Sequence, residues 1–272
     1  MTTHFSNGVT NVRGKANGTS LFSGIKQPLI TGGTSPQEFA YQNDFSTYNA
    51  SNWQTVTSTG ASDYQLADYA FGWLRQGDGA PAAGEIQGVA DYECWQYSST
   101  RAWYFETKIA VTDVSEANTW VGFAQNGYAD SDTLPNDGIG FSHLQDTTTI
   151  QFVSRKNGAG VSFDMLEAGS TYTFEDSSIA KQSATVLAQP SNPVRLGFLF
   201  QPLGSETGQT AIQYKLFLNG NIVGTQAATT VPDDVEIGLN MMIAHKGTVG
   251  NDLNIDYVQT VQSRIAGTGV SA

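Results

Sequence analysis

A two-residue rhythm of apolar side chains recurs along this chain, and no 3.6-residue period takes its place; that rhythm is the tightest constraint on the fold. Its clearest instance is Ala102-Trp103-Tyr104-Phe105-Glu106-Thr107-Lys108-Ile109-Ala110-Val111. Successive side chains of a strand point to opposite sides, so Trp103, Phe105, Thr107 and Ile109 share one face, and Tyr104, Glu106 and Lys108 the other. Composition agrees. Charged residues are only 14% of the chain, while Gly alone contributes 29 residues. That balance is poor for helices, which draw on Ala, Leu, Glu and Lys, and suits short strands joined by tight turns.

The rhythm recurs at Trp53–Thr57, Gly72–Arg75 and Gly84–Val89. It becomes a fully apolar run at Trp120-Val121-Gly122-Phe123-Ala124, as a central strand would. Gly138–Phe141 and Thr149–Val153 flank Gln145-Asp146 as a hairpin. Val194–Phe200 precedes the strongest hairpin signal, Ile212–Leu218, Asn219-Gly220 and Asn221–Gly224. Ile237–Ala244 and Leu253–Val261 close the set, the last alternating with one slip. Residues 126–137 read as a long loop. Residues 155–192 carry only weak strands, near Val161–Phe163 and Thr171–Thr173. The expectation is about twelve strands and no amphipathic helix, hence an all-β sandwich.

The sandwich is assigned to residues 36–265, with a flexible tail over 266–272. Residues 1–35 are rich in Gly, Ser, Thr and Asn, with apolar residues singly or in pairs, so they cannot build a core of their own. They read as an extended N-terminal arm that lies against another surface; a disordered tail is the plain alternative. The chain carries −12 overall, yet no acid precedes Glu38, whereas Arg13, Lys15 and Lys26 do. An acidic body argues against nucleic acid as a partner. No apolar stretch reaches the length of about eighteen residues that spans a membrane. Met1-Thr2-Thr3-His4 lacks the basic-then-apolar start of a signal peptide. One cysteine, Cys94, excludes an intramolecular disulfide and reads as a small buried hydrophobe.

Several segments, taken in order, resemble concanavalin-like (laminin-G-like) jelly-roll proteins encoded in tailed-phage structural gene clusters. They are Asn43-Asp44-Phe45 with Trp53; the Trp103–Ile109 strand leading to Trp120–Phe123; Asp137-Gly138-Ile139-Gly140-Phe141; Phe217–Asn221 followed by Val231–Asp234; and Asn254–Gln259. The likeness covers roughly residues 41–264. Thr3–Gly8 also looks like the opening of small phage virion proteins. The resemblance implies a concanavalin-like jelly roll and a virion protein that decorates or cements the outer capsid, assembled in the host cytoplasm. Its implied partners are the major capsid protein and neighbouring copies of itself, in a homo-oligomer such as a trimer. On that reading the arm attaches to the shell through Phe5, Arg13, Lys15, Phe22 and Lys26.

Chemistry is scarce. Glucanases of this fold project paired carboxylates from one strand face, as in Glu-x-Asp-x-Glu. Glu106 has Tyr104 and Lys108 beside it, Asp91 and Glu93 lack a third acid, and Asn254 separates Asp252 from Asp256. Each reads as a solvated strand face, and no enzymatic activity and no cofactor are expected. His4, His143 and His245 stand apart with no catalytic companions. Asp130, Asp132 and Asp137, with Asn136, form the best Ca²⁺ candidate, against a simple polar turn. Exposed Trp73, Trp95, Tyr97 and Tyr128 could stack on sugars, against ordinary core roles. They support the alternative function, a carbohydrate-binding module of a phage tail or host-attachment structure that contacts host glycans.

Overall fold

The computed structural model describes residues 38–45, 53–57, 65–67, 73–77, 86–90, 95–111, 117–125, 134–144, 149–165, 193–204, 208–232, 236–247 and 252–263. They form sixteen strands: β1 Glu38–Asn43, β2 Gln54–Thr57, β3 Gln65–Ala67, β4 Trp73–Gly77, β5 Ile86–Ala90, β6 Trp95–Gln96, β7 Trp103–Val111, β8 Ala117–Ala124, β9 Gly138–His143, β10 Ile150–Lys156, β11 Ala159–Asp164, β12 Val194–Gln201, β13 Gln213–Leu218, β14 Asn221–Ala227, β15 Glu236–His245 and β16 Asp252–Ser263.

Two eight-stranded antiparallel sheets result. The first runs β14-β13-β12-β7-β16-β4-β3, and the second β11-β10-β9-β8-β15-β5-β2. The longest strand, β16, is shared along its length: β4 pairs with Asp252–Ile255 and β1 with Val258–Ser263. β15 is divided likewise between β5 and β6.

Between the sheets lies one aromatic core. Trp103, Phe105, Phe123, Phe141, Phe152, Phe198 and Tyr214 are all buried there. Trp103 and Phe123 rings meet at 4.6 Å, and Phe152 and Tyr214 at 4.9 Å. The alternation read from β7 sends Trp103, Phe105 and Ile109 into this core. Buried side chains of this size, at about 2 kcal/mol or more each, are the main force holding the sheets together.

Two tight turns follow from sequence. Asn219 (φ 50°) and Gly220 (φ 85°) join β13 to β14, and Asn157 (φ 51°) and Gly158 (φ 78°) join β10 to β11. Asn and Gly tolerate left-handed backbone, which a two-residue hairpin of this twist needs at both central positions. The weak strand read near Val161–Phe163 is β11, the second strand of that hairpin. β11 pairs with β10 from Lys156↔Ala159 to Gln151↔Asp164. The weak strand near Thr171, the arm residues 1–35, the tail and Cys94 lie outside the described residues.

Candidate functional site

The outward face of the first sheet carries a polar cluster, and one bulge creates it. On β16, Leu253 and Ile255 face the core. Strict alternation would send Tyr257 there too. The register instead shifts between Ile255 and Tyr257, so Tyr257 lies beside Lys108 and Gln259 beside Glu106. The extra residue inverts the faces beyond it: Val258 joins the core, while Tyr257 and Gln259 turn outward. Thr107 Oγ1 donates to the Tyr257 carbonyl at 2.9 Å and pins the bulge. The sequence pattern, with Leu253, Ile255 and Tyr257 in one alternation, puts its single slip after Tyr257; the structure places it before that residue.

Glu106 sits at the centre and is only 2% exposed, which corrects its reading as a solvated strand residue. Tyr104 Oη donates to Oε2 at 2.9 Å. Tyr257 Oη donates to Oε1 at 2.5 Å, and Gln259 Nε2 donates to the same oxygen at 2.9 Å. Arg195 Nε lies 3.8 Å from Oε2, its side chain 41% exposed. Burial pushes the Glu106 carboxyl above its ordinary range, and the hydrogen bonds and the Arg195 charge only partly offset this. Burial also raises both phenols, helped by the Glu106 charge.

Arg195 is held by the β13–β14 turn. Its N–H donates to Asn219 Oδ1 at 3.0 Å, and the Asn219 N–H donates to its carbonyl at 2.7 Å. A β-carbon on Gly220 would fall 2.0 Å from Arg195 Nη2, so the glycine gives the guanidinium its room. Further along the same face, Lys108 Nζ meets Asp256 Oδ2 at 2.7 Å and lies 5.0 Å above the Trp73 ring. Arg75 Nη2 meets Asp252 Oδ2 at 2.7 Å.

These carboxylates are committed. A general acid or nucleophile needs an oxygen aimed at substrate. Both Glu106 oxygens already accept hydrogen bonds, and Asp252 and Asp256 each hold a cation. What the face presents instead is a set of half-buried planar polar groups, Arg195, Tyr257 and Gln259, fixed in position by the anion beneath them.

The outward face of the second sheet is built differently. A β-carbon on Gly122 would lie 2.4 Å from Gly140 Cα, and one on Gly140 2.7 Å from Gly122 Cα. Side-chain directions that converge this strongly across neighbouring strands mean that the sheet is concave there, and only glycine fits. Trp120, Val153, Met242 and Ala244 line this face and are buried, with Leu134 against them. None of the outward positions on the three strands β8, β9 and β10 is an acid. Among the described residues, the only outward acids on the second sheet are Glu236 at the start of β15 and Asp164 on β11. Their strands are four spacings apart, about 19 Å.

Of the aromatic candidates, the described ones take the core role rather than the sugar-stacking one. Trp73 is 0% exposed and lies under Lys108. Trp95 is 1% exposed and stacks on Trp103 at 5.8 Å. Tyr97 meets Phe200 at 4.8 Å, edge to face. Rings buried this way have no face to offer a sugar. Each lies on a strand or at its end, where the sequence could not say which side it would face. Tyr128 lies outside the described residues. So do Asp130 and Asp132 of the Ca²⁺ candidate, and Asp91 and Glu93. Asp137, 6% exposed, accepts the Asn157 N–H on Oδ1 at 2.8 Å and braces the β10–β11 turn, the polar-turn role. His143 and His245 end β9 and β15, both buried. The cluster residues Tyr257, Gln259 and Arg195 were not singled out from sequence. The broken alternation between Leu253 and Val261 is the one signal that could have found the first two.

No family model matches the chain, and no curated protein matches it. Solved structures do. The Emp47p carbohydrate recognition domain superposes with a TM-score of 0.53 at 11% identity, over 84% of this chain and 98% of that one. An endo-β-1,3-glucanase from Pyrococcus furiosus gives 0.54 at 10% identity, over 84% and 94%. The catalytic domain of a laminarinase from Thermotoga petrophila gives 0.52 at 10%, over 83% and 97%. The chain therefore has the concanavalin-like lectin and glucanase jelly roll, the fold that the sequence resemblance implied. At these identities the likeness is one of fold, which lectins and hydrolases share.

Proposed function

We propose that this chain is a non-enzymatic binding module that recognises carbohydrate on the outward face of its first sheet. The observation that carries the proposal is the array of Arg195, Tyr257 and Gln259 held around buried Glu106. Sugars are bound by a few fixed planar polar groups, and side chains pre-ordered by a second layer lose little entropy on binding. The fold shared with a carbohydrate recognition domain supports the same reading. Committed carboxylates on the first sheet and the widely separated acids on the second support binding over hydrolysis. A glycan array with the full chain tests it. Reproducible binding that Gln259→Ala and Arg195→Ala each weaken, with near-ultraviolet circular dichroism unchanged, is expected. Absence of binding, binding indifferent to both changes, or release of reducing ends from a bound polysaccharide overturns it.

A second reading is compatible with the first: the module sits on a virion, as a capsid decoration protein bound to the major capsid protein. The ordered resemblance over residues 41–264 and Thr3–Gly8 supports it. Removing residues 1–35 should abolish co-sedimentation with capsids if Phe5, Arg13, Lys15, Phe22 and Lys26 make the attachment; unchanged occupancy refutes the arm's role.

A further inference from the structure

We propose that one edge of the first sheet, strand β14, is the surface on which a second copy of this chain docks, so that two sheets join edge to edge about a two-fold axis. Among the described residues β14 pairs with β13 alone. Asn221, Ile222, Thr225 and Ala227 are exposed on it. Ile222, at 60%, is one of only three exposed large hydrophobics among the described residues.

An edge strand offers a row of unpaired N–H and C=O groups, and proteins that must stay apart blunt such edges with Lys, Pro or inward charges. The seven residues Asn221-Ile222-Val223-Gly224-Thr225-Gln226-Ala227 contain no charge and no proline. A register shift at Leu216/Phe217 kinks the start of the strand, but Gly224–Ala227 stay paired residue for residue with Leu216–Gln213. The edge of the other sheet lies alongside. Phe163 of β11 packs on Gly224 so closely that a β-carbon there would fall 2.3 Å from its ring. A docking partner therefore meets the rims of both sheets, with Asp164 at one end as the only acid on β11.

Charge selects the occupant. A chain of net charge −12 repels its own copies, and that repulsion is least where a contact adds no further charge. β14 is such a surface. Antiparallel pairing of a strand with itself needs no second set of complementary residues, because a two-fold axis makes one patch match itself. The exposed apolar residues suit that geometry. Leu203, 60% exposed, follows Gln201, which pairs with Gln213, and Gln213 pairs with Ala227. Leu203 thus lies at the end of the sheet opposite Ile222. Antiparallel docking brings Ile222 of one copy to the exposed Ala227 end of the other's β14, with Leu203 set back two strands from the joint. An edge about 24 Å long makes a contact at the small end of specific interfaces, so the dimer exchanges rather than being permanent. The proposal is independent of the carbohydrate reading.

Sedimentation equilibrium of the full chain over a concentration series tests it. The unmodified chain should dimerise in the micromolar range. The paired change Ile222→Lys with Thr225→Lys should weaken the dimer about a hundredfold, by setting like charges across the joint. Leu66→Lys, at an exposed residue of β3, should leave it unchanged. If the paired change lowers the thermal midpoint, the single Thr225→Lys is read in its place. A chain that stays monomeric throughout, a dimer that survives the edge change, or one that Leu66→Lys weakens equally overturns the proposal.

Discussion

The two sheets share one core but treat their outward faces in opposite ways. The second sheet solves a problem of space: it is concave, and Gly122 and Gly140 stand where no side chain fits. The first solves a problem of charge: it buries Glu106 and surrounds it with two phenols, an amide and a guanidinium. The contrast teaches that burial by itself does not say what a face is sensitive to. One face should respond to volume and the other to protonation and hydrogen-bond geometry.

The largest effect should come from the concave face. Gly122→Ala places a β-carbon against backbone that cannot step aside, and should cost about 3 kcal/mol of stability, read as a lowered denaturation midpoint with unchanged slope. If the protein tolerates it within about 0.5 kcal/mol, the sheet is less sharply folded there than described.

Next comes the centre of the polar cluster. Glu106→Leu keeps the volume but strands the donors of Tyr104, Tyr257 and Gln259, and should cost about 2 kcal/mol. Glu106→Gln sharpens the test through pH. Because the folded protein holds the Glu106 proton more tightly than the unfolded chain, whose carboxyl titrates near 4.5, this contribution to stability is complete below that value. It is lost as pH rises from 4.5 through the folded-state value. The stability difference between the unmodified chain and Glu106→Gln should therefore shift against the unmodified chain over that range, and equal pH profiles would break the contrast between the faces.

Gly220→Ala should cost about 1.5 kcal/mol, from left-handed backbone and the contact with Arg195. Glycan binding, if the array is the site, should fall with it because the guanidinium moves. The smallest effect belongs to the rim. Arg75→Ala removes a partly exposed pair with Asp252 and should cost about 0.5 kcal/mol, diminishing in high salt.

Much of the scaffold was legible in the residues. The alternation of Trp103 to Ile109 gave β7 its faces, and Asn219-Gly220 gave the β13–β14 hairpin its turn. Of the Asn157-Gly158 hairpin only the weak strand near Val161–Phe163 was read, because polar flanks masked the pattern around its turn. Its second strand, β11, lies at a sheet edge, where exposed positions need no apolar residue. β3 and β6, three and two residues long, are too short to show a period. The candidate site was barely legible, because its members come from β7, β12 and β16 and no spacing along the chain links them.

The sequence by itself determined that this is an all-β chain with a two-sided strand pattern and tight Asn-Gly turns, because period and left-handed backbone are local properties. Only the tertiary structure decided which aromatic rings would be core and where a carboxylate would be buried. Trp73 and Trp95 both begin strands, and their burial depends on Lys108 and Trp103 from other strands. Glu106 is held because a bulge on β16, some 150 residues away, turned Tyr257 and Gln259 to its side. Burial of a charge is a property of its neighbours, and neighbours across a sheet are chosen by register, not by sequence distance.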